Sequence, residues 1–363
     1  MKIINVVGAR PNFMKIAPLM AQYKAHPAIE PLLVHTGQHY DGQMSNLFFR
    51  QLGIPEPDVN LGVGSGSHTA QTAEIMKAFE PLVVEHSPDA VLVVGDVNST
   101  IACGLVAVKL KVKLVHVEAG LRSFDRTMPE EINRVLTDAV SDLLFCTEES
   151  GVENLRNEGV PQNRIFLVGN VMIDTLLHNK TKAEGSKILD RLSLSDRGYA
   201  VLTLHRPANV DDPAVLEGIL EAVEVIQHDL PVVFPVHPRT RVNLDGAGLA
   251  NRLEGMADLR LIGPAGYLDF LKLISHARVV LTDSGGIQEE TTILQVPCLT
   301  LRENTERPIT VEMGTNRVVG TRPEKIIAAY RQVAATQSPK AQVPPLWDGR
   351  AAERIAKVML ERL

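Results

Sequence analysis

Short runs of β-branched and aliphatic residues return along this chain at intervals filled by longer amphipathic segments. That alternation confines it to one kind of architecture. Residues 2–7, 31–36, 90–94, 113–117, 143–146 and 165–168 read as strands, with helical segments at 15–23, 69–86, 100–109 and 130–140. After a polar stretch, 179–198, the rhythm restarts with strands at 199–204, 232–236, 259–262, 279–282 and 298–300. Helices fall near 215–227, 267–275 and 287–294. Strands that are apolar at nearly every position are buried on both faces, which calls for a parallel sheet covered by helices on each side. The expectation is an α/β chain of two Rossmann-like, doubly wound domains, residues 1–170 and 171–349, facing each other across a cleft. A Pro-rich stretch, 337–347, leads into a last helix at 350–363 that is expected to pack back on the first domain. At 363 residues, each half is long enough to bury its own core.

The composition excludes several classes. A net charge of −6 without a long basic run argues against a nucleic-acid or membrane surface. No apolar run reaches membrane-spanning length, and Met1 leads directly into a strand, so the expected location is cytoplasmic. Cys103, Cys146 and Cys298 are odd in number and scattered on apolar segments, which fits buried thiols rather than a disulfide or zinc framework. His116-Val-Glu118 lacks the Pro-Cys-x-x-Cys of a zinc deaminase, and His35 and His39 flank what reads as a loop, so no metal is expected. Gly62-Val-Gly-Ser-Gly66 is half a dinucleotide fingerprint, but it follows Pro57–Asn60 rather than a strand, and Ser67 stands where a glycine should. With no Walker lysine motif either, no cofactor is expected.

In open parallel sheets, ligands bind beyond the C-terminal strand ends. Arg10, His39, Asp96, Glu118, His205, His237 and Ser284 all fall at or just after such ends. The stretch Leu281–Glu290 is the most telling. Ser284-Gly285-Gly286 makes a tight strand-to-helix turn, where a ligand can approach the backbone and helix N–H groups can bind an anion, most simply a diphosphate. Glu289 or Glu290, one turn on, can reach sugar hydroxyls. Structural readings stand beside these functional ones. Asp96 suits a helix cap, Arg122 is a possible partner for Glu118, and Thr127-Met-Pro-Glu130 has the form of a capping box. Arg10, Lys15, Arg206, Arg239 and Arg241 gather at the strand ends, where an anionic ligand explains them better than solvated surface charge does.

Together, Gly8-Ala-Arg-Pro11, Thr36-Gly-Gln-His39, Gly95-Asp96, His116-Val-Glu-Ala-Gly-Leu-Arg122, Met128-Pro-Glu-Glu131 with Asn133-Arg134, Leu204-His-Arg206, Asp283–Glu290 and Thr305-Glu-Arg-Pro308 resemble the non-hydrolysing UDP-N-acetylglucosamine 2-epimerases, over residues 1 to about 320. The resemblance implies a glycosyltransferase-B-like fold, a homodimer, and inversion of C2 of the sugar to give UDP-N-acetylmannosamine for polysaccharide synthesis. It implies that Ser284, Gly285 and Gly286 hold the diphosphate, Glu290 the ribose, and that Phe270 lies by the uracil. Arg10, His205 and His237 would contact phosphates or nucleotide. Asp96, Glu118 and Glu130 would surround the sugar with Lys15 nearby, and His205 joins them as a catalytic group. The chain departs from members activated by a second substrate molecule at Asp41 and in Gly64–His68, which places that activation in doubt.

The chemistry fits these residues. C2 of this sugar is not next to a carbonyl, so its proton is not acidic. Loss of UDP from C1 creates an oxocarbenium-like centre that acidifies C2–H. A carboxylate then takes the proton, leaving 2-acetamidoglucal, and UDP re-adds as a proton returns to the other face. Alternatives are a hydrolysing epimerase releasing N-acetylmannosamine and UDP, and an epimerase of a diacetamido-uronic acid nucleotide. Glu306-Arg-Pro308 favours the plain N-acetylglucosamine substrate.

Overall fold

The computed structural model describes residues 1–38, 49–236, 238–246, 248–336 and 341–363, apart from the side chains of Arg10, Pro238, Arg239, Ala250 and Asn251. The chain forms two compact units, Met1–His178 with Pro345–Leu363, and Asn179–Pro344. The division falls inside the helix Val171–Ala183 rather than at 170. Asp174 on that helix helps tie the C-terminal segment to unit 1. Its carboxylate accepts the N–H groups of Ala351 and Ala352 at 3.1 and 2.8 Å, satisfying the open start of the helix Ala351–Arg362. Trp347 is buried beside it and donates Nε1–H to the Thr147 carbonyl at 3.0 Å.

Unit 1 holds seven parallel strands: β1 (Lys2–Val7), β2 (Glu30–His35), β3 (Val59–Asn60), β4 (Ala90–Val94), β5 (Lys113–Ala119), β6 (Leu143–Cys146) and β7 (Ile165–Leu167), in the order β3-β2-β1-β4-β5-β6-β7. Unit 2 repeats the pattern with β8 (Ala200–Thr203), β9 (Val232–Pro235), β10 (Leu259–Ile262), β11 (Val279–Thr282), β12 (Cys298–Thr300) and β13 (Asn316–Val318), in the order β10-β9-β8-β11-β12-β13. The α/β class read from the sequence is what forms. Every residue of β4 is buried, as strands covered on both faces require. In unit 1, Ile4, Val6 and Val34 pack with Ile75 and Phe79 of the helix His68–His86. In unit 2, Leu202, Phe234 and Leu281 pack with Leu216, Ile219 and Val223 of the helix Pro213–Gln227.

In each sheet the strand order reverses once, between β1 and β4 and between β8 and β11. Such a switch point leaves a crevice beyond the strand ends, because the helices that follow the two strands lie on opposite faces. Two short strands, β3 and β13, are absent from the sequence reading, since two or three residues cannot display a period. Gly62–Gly66 therefore does follow a strand. Its helix starts only at His68, with Ser67 Oγ accepting from Ala70 N as the N-cap. All three cysteines are buried and unbridged, as anticipated. No helix among the described residues is long and apolar enough to cross a membrane.

Candidate active site

The helix Arg10–Tyr23 begins directly after β1, at Arg10 rather than Lys15. Asn12 ties its start to the sheet. The Oδ1 atom accepts from Gly8 N and Ala9 N at 3.1 and 3.0 Å, while Nδ2 donates to the Val94 carbonyl at 3.0 Å. The ends of β1 and β4 are thereby stitched across the switch point. One turn further on, Lys15 Nζ lies 2.7 Å from Glu118 Oε2, with both side chains buried. Gly95 makes this approach possible. It has φ +69, and a Cβ there would stand 2.7 Å from Lys15 Nζ. Arg122 is not the partner of Glu118. It pairs instead with Asp138 at 2.7 Å and Glu158 at 2.6 Å.

Glu118 itself is held in an unusual backbone state. Val117 and Ala119 pair with consecutive residues of β6, leaving Glu118 in a bulge with φ +74. A side chain pays strain to occupy the left-handed region, and such strain persists where the surroundings impose it, often at functional sites.

Asp96 follows Gly95 and is about a quarter exposed; its carboxylate pairs with Arg134 Nη2. Arg134 also holds Glu131 at 2.6 Å, and Glu131 accepts from Ser123 N, Ser123 Oγ and Phe124 N, each at 2.9 Å. Glu131 is thus a buried structural clamp. The capping box read for Thr127–Glu130 does not form. Met128 is the N-cap of the helix Pro129–Val140, with no side-chain cap bond, and Thr127 Oγ1 turns to Asp125 instead. Glu130 is half-buried and enters no hydrogen bond or ion pair among the described residues.

Unit 2 repeats the stitching with different chemistry. Asp283, after β11, is fully buried and reaches across to the end of β8. Its Oδ2 accepts from His205 N and Arg206 N, both at 2.9 Å, and its Oδ1 lies 2.7 Å from His205 Nδ1. Burial would raise this carboxyl, but the imidazole of His205 and the two backbone N–H groups outweigh it and hold it below the usual range. The His205 side chain is 46% exposed, so its ring is oriented from beneath while its other edge meets solvent.

Ser284 is the extended N-cap of the helix Gly285–Leu294, and its own side chain makes no cap bond. The first N–H groups of that helix lack intrahelical acceptors and suit an anion. Gly285 is required by what lies behind it. A Cβ there would meet Arg307 Nη1 and Glu306 Oε1, both at 2.6 Å. Those two side chains are buried in a network: Glu306 with Arg302 at 2.7 Å and Arg307 at 2.6 Å, and Arg307 Nε with Glu289 at 2.7 Å. Glu289 is therefore committed to Arg307, leaving Glu290 as the member of the pair suited to a ligand. Burial first, and Glu289 second, push the Glu290 carboxyl up to about 8, with the Tyr267 hydroxyl 3.5 Å away. Phe270 is half-buried, one turn beyond Tyr267 on the helix Tyr267–Ser275.

Of the other predicted cations, Arg206 binds the Asp283 carbonyl at 3.1 Å, and Arg241 is a surface side chain 3.4 Å from Asp245. His39, Asp41 and His237 lie outside the described residues, as do the side chains of Arg10 and Arg239. Sequence reading missed Asp283, Arg134, Asp138 and Tyr267 as site-building residues. Asp283 and Arg134 stood inside quoted motifs, and their position at strand ends or one helical turn from an acid was the available signal. Among the described residues, no group of three or more His, Cys, Asp or Glu could hold a metal ion.

The UDP-N-acetylglucosamine 2-epimerase family model matches residues 21–360. The UDP-N-acetylglucosamine 2-epimerase of Methanocaldococcus jannaschii is 42% identical, over 99% of both chains. A UDP-2,3-diacetamido-2,3-dideoxy-D-glucuronate 2-epimerase from Pseudomonas aeruginosa is 41% identical, also over 99% of both chains. Among solved structures, the M. jannaschii epimerase in complex with UDP-GlcNAc and UDP superposes with a TM-score of 0.94, covering 99% of this chain and 100% of that one. With this similarity over its whole length, and with its strand-end motifs placed at two switch points, the chain belongs to the UDP-N-acetylglucosamine 2-epimerase family.

Proposed function

We propose that this protein, an isomerase by its family, interconverts UDP-N-acetylglucosamine and UDP-N-acetylmannosamine by elimination and re-addition of UDP. The observation that carries the reading is Glu118. A buried carboxylate, kept in a strained bulge and held against Lys15, supports a chemical role for this residue. A carboxylate removes the C2 proton as the C1–O bond to UDP breaks; the electron pair of C2–H becomes the C1=C2 bond of 2-acetamidoglucal. UDP departs with the bonding pair of C1–O. A proton then adds to C2 from the opposite face while a UDP oxygen re-forms the bond to C1. Two faces need two proton carriers, and Asp96, Glu118 and Glu130 come from three different elements of unit 1.

The leaving group is assigned to unit 2. Ser284, Gly285 and Gly286 offer backbone N–H groups to the diphosphate, and His205, fixed by Asp283, offers its outer ring nitrogen to developing charge on the phosphate. Arg10, Lys15 and His237 complete the proposed anion contacts. Glu290 is assigned to the ribose and Phe270 to the uracil. A cytoplasmic homodimer feeding polysaccharide synthesis is the setting we propose. Proton NMR of the enzyme with UDP-N-acetylglucosamine in deuterated water tests the reading. The expected product is UDP-N-acetylmannosamine carrying deuterium at C2. Release of free N-acetylmannosamine would mark a hydrolysing enzyme, and retention of the original C2 hydrogen would overturn elimination. The P. aeruginosa relative supports a second reading, with a diacetamido-uronic acid nucleotide as substrate. The same NMR experiment with that nucleotide decides between them by the ratio of kcat/KM.

A further inference from the structure

We propose that His116, braced by Asp138, is a positioning residue that sets the Gly95-Asp96 turn and through it the carboxylate of Asp96. The proposal rests on the reading of Asp96 as a proton carrier. His116 lies within β5, flanked in sequence by Val115 and Val117, and is completely buried. An imidazole in such a place costs desolvation unless both nitrogens are used, and here both are. Nε2 is 2.8 Å from the Gly95 carbonyl, which can only accept, so this nitrogen donates. Nδ1 is 2.6 Å from Asp138 Oδ1. Asp138 is itself locked, accepting from Gly120 N at 3.0 Å and pairing with Arg122 at 2.7 Å.

The next carbonyl along is gripped as well. Asn133 Nδ2 donates to the Asp96 carbonyl at 2.9 Å, and Arg134 takes the Asp96 carboxylate. Asn133, Arg134 and Asp138 all sit on the helix Pro129–Val140, whose first turn carries Glu130. One helix therefore holds the Asp96 carbonyl and carboxylate directly, and the Gly95 carbonyl through His116. The turn needs such restraint. Gly95, at φ +69, has no Cβ to resist rotation, and rotation of the Gly95–Asp96 peptide would swing the Asp96 carboxylate. On the Gly95 side, the N–H donates to the Val117 carbonyl at 3.0 Å, and the His116 side chain holds the carbonyl.

A double-mutant cycle between His116→Gln and Asp96→Asn tests this, with kcat, KM, UDP affinity and thermal melting measured on every variant. His116→Gln should lower kcat on the order of tenfold to a hundredfold while KM and UDP affinity stay near wild type. If His116 acts through Asp96, the same change in the Asp96→Asn background should cost less than about threefold. An equal loss in both backgrounds would show an independent, purely structural effect and overturn the proposal, as would wild-type kcat in a folded His116→Gln variant. Asp138→Asn leaves an oxygen for His116 and carries the same cycle should His116→Gln fail to fold. Full turnover by Asp96→Asn alone would instead remove Asp96 from the mechanism, a result distinct from additivity in the cycle.

Discussion

Each unit carries a Glu-Glu pair on a helix beside its switch point, and the two pairs are placed differently. In unit 1, Glu131 is buried against Arg134 and three donors of the Ser123–Phe124 turn, while Glu130 stands half-buried at the helix start. In unit 2, Glu289 is buried against Arg307, and Glu290 is buried too, beside Tyr267. In both pairs an arginine takes one member for structure. The remaining carboxyl is open to solvent in the first case and enclosed in the second. The difference suits the two tasks proposed. A proton carrier must exchange with water between turnovers, whereas a ribose ligand works as a fixed hydrogen-bonding group. Burial keeps that second group neutral up to about pH 8.

The comparison breaks first at its structural members. Glu131→Ala removes a buried acid from Arg134 and the acceptor from three donors, and loss of one partner from a buried ion pair costs about 3–5 kcal/mol. The midpoint of urea unfolding should fall accordingly, and an unchanged midpoint would remove Glu131 from the structural role. Glu130→Gln should do the reverse. Unfolding stays as in the wild type and kcat drops by about a hundredfold, the loss expected for a missing acid/base group. If Glu130→Gln lowers stability and spares turnover, the roles of the two neighbours have been exchanged.

A smaller effect is expected at the unit 2 helix start. Gly285→Ala pushes a Cβ into Arg307 and Glu306, both within 2.6 Å, and overpacking of this kind costs about 1–3 kcal/mol. Both ion-paired side chains would have to shift, and the helix N–H groups with them, so UDP affinity by calorimetry should weaken together with stability. A stability loss with unaltered UDP affinity would separate Gly285 from the diphosphate. A pH-dependent effect is expected at Glu290. Its folded carboxyl titrates near 8 against 4.5 when exposed, so the folded state holds an extra proton between those values. The stability this contributes is complete below about pH 4.5 and is lost as pH rises towards 8. Melting temperature should fall across that window, and Glu290→Gln should flatten the fall. Equal slopes in the two proteins would place the titration elsewhere.

Much of this molecule was determined by local pattern. The βα rhythm follows from side-chain period and β-branching, and those signals lie within a few residues, so most strands could be placed from the sequence. The strand-end rule brought Asp96, Glu118, His205 and Ser284 into view for the same reason, since a strand that stops being apolar announces its own end. Tertiary structure alone decided how these groups are held. That Lys15 rather than Arg122 faces Glu118 depends on which strands become neighbours, and β1 and β4 meet only because the strand order reverses there. The bulge at Glu118 arises from a register shift against β6, and no local property of His116-Val-Glu118 encodes it. Likewise Glu130 and Glu131 are identical in sequence and adjacent. Only the change of direction between successive helical residues, set against the position of Arg134 and the Ser123 turn, makes one a clamp and leaves the other half-buried at the helix start.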